Sequence, residues 1–380
     1  MTLRGVPFRA ECVDLGPGPS AAELLRRVSG WPGLIGLIGA WADRTAVLTS
    51  HPVLELSGGV DLLDALDDQP DVVDGDPQLL GGGWFGRLAF DGPSALAFHD
   101  HVVRLVAGRW RFESLVSDGR EAALEERVAA WRAALSSTGG DPPSWSVEMF
   151  TGAPAAEHLA AVERAVELIR AGELYQVNVC TRVDAAFTGS AAGLFATAAE
   201  DLQPHYGAYL GGDPAVVSLS PELFLRRRER DVISAPIKGT LPRDGAGTAG
   251  NAAALRRSAK DVAENVMIVD LVRNDLGRVA EVGTVRAAAL LDVRPHPGVW
   301  HLVSTVEARL RPDVGDADLL RAAFPPGSVT GAPKLRALAA IAGLEPVPRG
   351  TYTGAIGFVS PLWGAEFNVA IRTFEVADGR

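Results

Sequence analysis

A lysine in the stretch Pro236–Arg243 is the side chain of this 380-residue chain best placed for covalent chemistry. Of its 36 basic residues, 33 are arginine and three are lysine: Lys238, Lys260 and Lys334. A lysine amine in an enclosed site can lose its proton and act as a nucleophile, whereas an arginine guanidinium cannot. Lys238 follows the apolar pair Val232-Ile233 and lies between proline and glycine, which predicts a strand that gives way to a tight turn. A lysine that caps a surface turn is the alternative.

Asp261 and Glu264 are spaced i, i+3 in a segment with helical periodicity. On a helix, this spacing brings both carboxylates out on one side. Two such carboxylates suit Mg²⁺, which takes carboxylate oxygens together with water and an anionic group of a substrate. A solvated acidic edge without a metal is the alternative.

Glu222 and His301 are candidates for acid–base chemistry. Glu222 follows Ser220-Pro221 just after a predicted strand, a position from which a carboxyl group can act as a general acid. His301 lies between Trp300 and the run Leu302–Ser304, so it is half surrounded by apolar residues. An ordinary turn and a core histidine with satisfied hydrogen bonds are the respective alternatives.

Two further features suit the binding of an anion. The Gly- and Pro-rich loop Phe324–Lys334 enters a predicted helix, where free amides and two hydroxyls fit a carboxylate or a phosphate. The loop lacks the Gly-Lys-Ser/Thr ending of a P-loop, which argues against a nucleotide. Arg372 is placed in an otherwise apolar predicted strand, where its charge must be paired or bind an anion. An internal salt bridge stays open as the alternative.

The chain consists of two regions that differ in their predicted secondary structure. Residues 1–145 contain short strand-like pieces between Gly, Pro and Asp, followed by an amphipathic helix predicted over Glu121–Leu135. Residues 150–380 begin with a second amphipathic helix, Ala155–Arg170, and we predict a boundary between the two regions in the Ser-, Gly- and Pro-rich segment Ser136–Ser144. Three long elements are predicted further on: a strand over Leu174–Phe187, a helix over Ala252–Asn274 and a strand over Glu366–Val376. Long strands with helices inserted between them predict an α+β sandwich with large antiparallel sheets.

Composition and charge narrow the classes of function. The chain is 47% hydrophobic and 22% charged, as expected of a core-forming globular protein. Its net charge of −11 argues against nucleic acid and anionic membrane surfaces as partners, and an anionic substrate would need local cations. The sequence shows neither a membrane span nor a signal peptide. Cys12 and Cys180 suggest no disulfide framework; we predict buried thiols and a cytoplasmic protein.

Taken in order, these motifs resemble the chorismate-utilising enzymes, the family of anthranilate synthase component I, aminodeoxychorismate synthase component I and the isochorismate and salicylate synthases. The resemblance runs from about Glu157 to Arg380, and residues 1–145 look like the variable N-terminal half of the same fold. It implies an anthranilate synthase component I-like sandwich with two large antiparallel sheets and helices outside, in which residues 150–380 bind chorismate. The motifs are Leu174–Asn178, Ser220–Glu222, the lysine turn, Asp261–Asn265, Asp270–Arg278, His301–Ser304, Phe324–Lys334, Tyr352–Gly357 and Ala370–Thr373.

Two positions separate branches of this family. In anthranilate synthases the turn resembles Pro-Ile-Ala-Gly-Thr, with alanine at the position of Lys238. The lysine therefore makes this chain more similar to aminodeoxychorismate synthase component I. In that branch the lysine amine attacks C2 of chorismate as the C4 hydroxyl leaves, and ammonia then enters at C4. Water-using members carry a lysine base where this chain has Gln176, so the resemblance implies ammonia. Anthranilate synthase component I and a catalytically inactive relative are the alternatives.

The resemblance also implies roles for individual residues. Glu264, with Asp261 beside it, would hold Mg²⁺; Lys238, Glu222 and His301 would be catalytic. The implied substrate-binding residues are Gln176, Thr240, Ser328, Tyr352, Gly354 and Arg372. A separate glutamine amidotransferase subunit would supply the ammonia, and 4-amino-4-deoxychorismate would lead to p-aminobenzoate and folate.

The sequence departs from the family pattern at its C-terminal end. The family continues past Ile371-Arg372-Thr373 with a Gly-rich strand loop and a helix that bears further acidic ligands of Mg²⁺. Here Asp378-Gly379 is a hairpin signal with no second strand after it. The expectation from the sequence is a fragment or an inactive relative that lacks about fifty residues, judged by the family's extent.

Overall fold

The structure is a computed structural model that describes residues 2–137, 144–152, 155–243 and 248–377. The hairpin signal Asp378-Gly379 and most of the predicted connection Ser136–Ser144 lie outside the described residues. Within them, helices and strands account for most of the chain, and three hydrophobic cores hold them together.

Nine α-helices lie within the described residues. The two predicted over Glu121–Leu135 and Ala155–Arg170 are present at nearly those bounds. The helices are α1 (Ala21–Arg27), α2 (Trp41–Arg44), α3 (Glu121–Ser136), α4 (Ala155–Arg170), α5 (Ala191–Leu202), α6 (Thr248–Arg257), α7 (Ala259–Gly277), α8 (Asp316–Ala323) and α9 (Lys334–Leu344).

Twenty-three strands lie in the same part of the chain. They are β1 (Pro7–Gly16), β2 (Ile35–Gly39), β3 (Ala46–Thr49), β4 (Leu54–Gly58), β5 (Asp71–Asp74), β6 (Gly83–Leu88), β7 (Ser94–His99), β8 (His101–Val106), β9 (Arg109–Val116), β10 (Trp145–Gly152), β11 (Gln176–Val177), β12 (Val183–Gly189), β13 (Tyr206–Leu210), β14 (Ala215–Ser220), β15 (Leu223–Arg228), β16 (Asp231–Ala235), β17 (Ile237–Pro242), β18 (Arg286–His296), β19 (Val299–Arg309), β20 (Gly331–Ala332), β21 (Ala355–Ser360), β22 (Gly364–Val369) and β23 (Thr373–Val376).

Two large sheets dominate the described part of the chain. One has nine strands in the order β23-β14-β13-β2-β3-β8-β9-β1-β5, antiparallel throughout except for the pair β1–β5. The other has the order β17-β19-β16-β15-β22-β21-β6-β7-β4, and β18 also pairs with β19. The predicted α+β sandwich with large antiparallel sheets is therefore confirmed. Strands from residues 1–145 and from residues 150–380 occur in both sheets, and the division of the chain at this point stays a prediction.

The two sheets pack face to face through aromatic side chains. Trp41 meets Tyr206 edge to face at 5.3 Å between ring centroids, and its ring lies 6.4 Å from that of Phe358 in the other sheet. All three belong to one buried cluster that draws residues from both sheets. Helices α1, α3 and α5 cover the outer face of the nine-stranded sheet, and α7 and α8 cover that of the ten-stranded sheet. Burying both faces holds the strand ends between the sheets and helices in fixed positions.

Two predicted elements are divided in the structure. The helix predicted over Ala252–Asn274 is broken at Ser258, whose hydroxyl accepts the Asp261 amide at 3.3 Å and caps α7. The strand predicted over Leu174–Phe187 is two strands, because β11 pairs with β20 whereas β12 pairs with β10. Both predictions followed the apolar periodicity across a point where the hydrogen-bond partner changes.

The strand predicted over Glu366–Val376 is wrong in the same way. It is two strands in different sheets, β22 in the ten-stranded and β23 in the nine-stranded sheet. Arg372 lies between them with φ at 51°, in the left-handed region. The chain therefore crosses from one sheet to the other at this residue, so that Arg372 stands at a corner rather than inside a strand.

Two surface features also differ from expectation. The apolar stripe of α4 is poorly covered, with Leu159 60% exposed and only Ala165 buried among the helix residues. Cys12 is exposed rather than buried, and Cys180 is half-buried; both are free. Across the described residues, no helix combines the length and the apolar character that crossing a membrane requires.

Candidate functional site

Lys238 lies in a bulged strand rather than in the predicted turn. In the pairing of β17 with β19, Ile237 opposes Val303 but Thr240 opposes His301, so the strand holds one extra residue at Lys238-Gly239. A bulge of this kind turns a side chain away from the regular alternation of the sheet. Gly239 adopts φ +97°, and a Cβ there would come within 3.0 Å of the Cβ of Asp261, so glycine lets α7 approach the lysine.

Glu222 is a buried acid beside this bulge. It connects β14 to β15; its amide donates to the Ser220 hydroxyl at 3.2 Å, and its side chain is almost fully buried. Burial raises the pKa of the Glu222 carboxyl to about 7. The nearby Ser328 hydroxyl, the Lys238 charge and the Ile237 amide act in the opposite direction. Near neutral pH the carboxyl group therefore holds its proton about half of the time and can donate it.

His301 is held by the strand on the other side of the bulge. Its Nδ1 lies 2.8 Å from the hydroxyl of Thr240, the residue directly opposite on β17. Its Nε2 is buried without a partner among the described residues. Burial, followed by the charge of Arg372, lowers the pKa of His301 to about 4, so the imidazole is neutral at pH 7. A fixed, neutral ring with one free nitrogen can accept or pass on a proton.

Arg372 brings a positive charge to this group. The residue is exposed to solvent, and the partial burial of its guanidinium lowers its pKa. No carboxylate forms an ion pair with it within the part of the chain that the structure describes, so the internal salt bridge considered above is not found there. A partly buried guanidinium without an acid is suited to a carboxylate from a ligand.

Asp261 and Glu264 lie on α7, as predicted, and both are half-buried. Asp261 faces the bulge at Gly239. One turn further, Asn265 is buried and bonds the carbonyl of Leu302 at 3.1 Å and the hydroxyl of Ser304. This contact fixes α7 against β19, and thereby the two acids relative to His301. Among the described residues no group of three or more His, Cys, Asp or Glu side chains forms a metal site.

The loop after α8 brings Ser328 and Gln176 to the same edge of the site. Ser328 lies in a turn of 3₁₀ helix, and its hydroxyl is buried beside Glu222 without the geometry of a full hydrogen bond. Its carbonyl accepts the side chain of Asn178 at 2.9 Å. Gln176 opposes Ala332 across β11 and β20, and its side-chain oxygen is buried without a partner among the described residues.

Tyr352 and Gly354 occupy a neighbouring loop. The Tyr352 hydroxyl lies by the Cys180 thiol, and burial raises the pKa of both groups, that of Cys180 to about 11. Gly354 has a packing reason to be glycine, since a Cβ there would lie 2.1 Å from the carbonyl oxygen of Leu88. No direct contact joins either residue to Glu222 within the described structure.

The sequence-predicted residues therefore fall into a tight group and its surroundings. The tight group is Lys238, Glu222, Ser328, Thr240, His301 and Arg372, with Asp261 across the bulge. Asn265 was not predicted, although a polar residue in the apolar stripe of a helix is a usable signal. His296, whose ring packs edge to face on His301 with centroids 5.4 Å apart, was also missed.

The profile of chorismate binding enzymes matches residues 80–380. The chain belongs to this family. Aminodeoxychorismate synthase component 1 of Klebsiella aerogenes is 46% identical over 214 residues, 56% of this chain and 48% of the relative. The same component of Escherichia coli is 43% identical over 217 residues. Anthranilate synthase component 1 of Thermus thermophilus is 36% identical over 300 residues, 77% of this chain and 63% of the relative. The matches to the first two relatives thus span about half of their length.

Solved structures with the same fold are more distant in sequence. Anthranilate synthase component I of Streptococcus pneumoniae superposes with a TM-score of 0.74 at 23% identity, over 88% of this chain and 85% of that one. The menaquinone-specific isochorismate synthase of Escherichia coli has a TM-score of 0.79 at 19% identity, over 98% and 87%. These structures confirm the fold, and the match to the family over residues 80–380 confirms the resemblance.

Proposed function

We propose that this protein is an aminodeoxychorismate synthase component I, which replaces the C4 hydroxyl of chorismate by an amino group. The observation that carries the proposal is the position of Lys238, in a strand bulge between the buried acid Glu222 and α7. The similarity to aminodeoxychorismate synthase component 1 at 43–46% identity supports the same branch. The product would lead to p-aminobenzoate and folate.

The arrangement suits a covalent route in two displacements. The neutral Lys238 amine forms a bond to ring C2, both double bonds of the ring diene shift, and the bond from C4 to the hydroxyl oxygen breaks. A proton from the Glu222 carboxyl group turns the leaving hydroxide into water. Ammonia then bonds to C4, the two double bonds shift back and the C2–Lys238 bond breaks, while the new ammonium group returns a proton to Glu222, directly or through the neutral ring of His301. Each displacement is easier than a direct exchange of hydroxyl for ammonia.

Substrate recognition would use the remaining side chains of the tight group. Arg372 would clamp one carboxylate with its planar fork, which binds carboxylates in a bidentate manner. Ser328 and Gln176 would donate hydrogen bonds to the substrate from the opposite loop, and Thr240 would orient the ring of His301. Tyr352 and Gly354 would line the adjoining wall.

Asp261 and Glu264 fit Mg²⁺ as a partial ligand set. They offer two carboxylates on one side of α7, and would hold the ion together with water and an anionic group of the substrate. When bound, the ion would neutralise the ring carboxylate in a chain whose net charge is −11.

The nucleophile would be ammonia, delivered by a glutamine amidotransferase subunit. The relatives named as component 1 suggest such a second component. Gln176 stands where water-using members carry a lysine base, which supports ammonia rather than water.

One incubation tests the proposed reaction against its alternatives. The purified protein, chorismate, Mg²⁺ and ammonium are combined, and the product is identified by mass and retention time. Formation of 4-amino-4-deoxychorismate is the expected result. Anthranilate would instead place the chain with anthranilate synthase component I, and bound but unchanged chorismate would indicate a catalytically inactive relative.

A further inference from the structure

A row of three histidine rings leads from the surface of the protein to the site. His205 is exposed, and its ring centroid lies 3.9 Å from that of His296. His296 is buried, and it meets His301 edge to face at 5.4 Å. Both inner rings, His296 and His301, have a buried Nε2 without a partner among the described residues. The packed rings therefore form a continuous row of side chains from solvent to His301.

Two arginines flank this row. Arg294 lies directly opposite His301 in the pairing of β18 with β19, so the two side chains emerge on the same face of the sheet. Arg44 belongs to the outer end, because the Ala40 amide donates to the His205 carbonyl at 2.5 Å and brings the segment that leads to Arg44 beside His205. Burial lowers the pKa of His205, and the charges of Arg44 and Arg294 lower it further, which places both guanidinium groups near the ring. We refer to Arg44 and Arg294 together as the entrance arginines.

The acids around them leave an excess of positive charge. The carboxylate of Asp292 forms an ion pair with the guanidinium of Arg294 at 3.4 Å, and both side chains are about half exposed. Asp43 neighbours Arg44 in sequence, but its charge acts on Arg226 and Glu366 in the core. Arg44 itself forms no ion pair within the described residues. At the outer end of the row, the two entrance arginines therefore face one acid, Asp292.

This local excess stands against the charge of the whole chain. A ligand with two carboxylates approaching a protein of net charge −11 is repelled at long range. Positive charges at the mouth of a cleft reverse the local potential, raise the local concentration of an anion and increase its apparent affinity. Because such charges act through water, their effect weakens as salt shortens the Debye length.

We propose that the entrance arginines draw a dicarboxylate ligand from solvent along the histidine row toward Arg372 and His301. The proposal rests on the proposed function for its ligand, chorismate. It adds two residues that act at a distance rather than by contact with the reacting atoms.

Equilibrium titration with chorismate in the absence of ammonium tests this role without turnover. Arg44→Glu and Arg294→Glu are compared with the unsubstituted protein at 0.02 M and 0.5 M salt. Reversing one charge about 10 Å from a dianion should weaken binding about 5-fold at 0.02 M salt and less than about 2-fold at 0.5 M. The double variant should weaken it about 25-fold at the lower salt concentration.

A matched control separates the entrance from the overall charge. Arg111 is exposed on β9. In the nine-stranded sheet, β9 lies far from β23, the strand that follows Arg372. Arg111→Glu changes the net charge by the same amount as Arg44→Glu or Arg294→Glu. This control should bind as the unsubstituted protein does, and Arg294→Lys, which keeps the charge, should too. Circular dichroism and thermal unfolding check that each variant is folded.

Three outcomes would overturn the proposal: equal weakening by Arg111→Glu, a loss of affinity that does not depend on salt, or no loss at all. A loss in Arg294→Lys as large as in Arg294→Glu would assign the residue a contact role instead. Failure of the proposed function looks different. Chorismate that binds with the expected salt dependence but yields another product overturns the proposed reaction and leaves the entrance intact.

Discussion

The surroundings of Lys334 and Lys238 differ in one respect that matters for chemistry. The Lys334 side chain is 9% exposed at the start of α9, and its amine bonds Asp275 at 2.6 Å and the carbonyls of Ala323 and Pro325 at 2.6 and 2.8 Å. All three of its donor positions are occupied. The amine of Lys238 has no hydrogen bond or ion pair with any described residue, although the charge of Glu222 is close. A saturated lysine holds a loop in place, whereas one with free donors can bond to a ligand.

The acids next to these lysines differ in parallel. Burial raises the pKa of Asp275 and lowers that of Lys334, and the attraction between the two groups opposes both shifts. Burial dominates at Glu222, whose opposing partners are a hydroxyl, an amide and a more distant amine. The pair Asp275–Lys334 is thus a structural ion pair, and Glu222 with Lys238 is a proton donor next to a nucleophile. Sequence alone ranked Lys238 above Lys334 only through its turn and the family resemblance.

The largest expected effect is the loss of activity when the Lys238 amine is removed. Lys238→Ala should reduce formation of aminodeoxychorismate by at least about 10³-fold, because the covalent step loses its nucleophile. Chorismate affinity and the unfolding temperature should change little. The rate is measured by product mass under saturating chorismate and ammonium.

Lys260→Ala is the control for that variant, since Lys260 is an exposed lysine near the start of α7. It should keep full activity. If Lys238→Ala were as active as the control, Lys238 would be a strand residue without a chemical role.

The next largest effect is the loss of stability when the Lys334 amine is removed. Lys334→Ala leaves the buried carboxylate of Asp275 without its cation and should lower the free energy of unfolding by about 3–5 kcal/mol. Urea unfolding followed by tryptophan fluorescence measures it. Pairing Lys334→Met with Asp275→Leu should recover much of this loss, because both charges are then removed together. A loss below about 1 kcal/mol in the single variant would contradict a structural role for Lys334.

Glu222 provides a test of intermediate size that depends on pH. Its pKa of about 7 in the folded state exceeds the value of 4.5 expected in the unfolded chain. Between these values the folded state keeps a proton that the unfolded state releases, so the stability contributed by this group falls as pH rises from 4.5 to 7. The change amounts to about 3 kcal/mol across this window.

Glu222→Gln removes this titration. Its unfolding free energy relative to the unsubstituted protein should therefore improve by about 3 kcal/mol between pH 4 and pH 8. The rate should also lose the limb near pH 7 that the acid imposes. A stability difference that is the same at both pH values would place the Glu222 carboxyl in contact with water instead of in the core.

The comparison also indicates what could be predicted from sequence. Apolar periodicity gave the helices α3 and α4 and the sheet class, because local spacing decides which face is buried. It failed at Arg372, where the chain crosses from one sheet to the other, and at the Lys238 bulge, where the register of β17 on β19 shifts by one residue. The raised pKa of Glu222 was equally hidden, since it is caused by burial among distant segments and opposed by Ser328, about one hundred residues away in the chain. Motif order supplied the residues of the site, and long-range packing supplied their protonation states.

The smallest expected effect concerns Thr240, which lies next to the Lys238 bulge and contacts His301. Thr240→Val keeps the shape of the residue but removes the hydroxyl that lies 2.8 Å from His301 Nδ1. The ring loses its fixed orientation and one nitrogen becomes unsatisfied, which should cost about 1–2 kcal/mol in transition-state stabilisation, or about 10-fold in kcat. Thr240→Ser retains the hydroxyl and should retain most of the rate. If Thr240→Val instead keeps the rate and Thr240→Ser loses it, the methyl contact rather than the hydrogen bond positions His301.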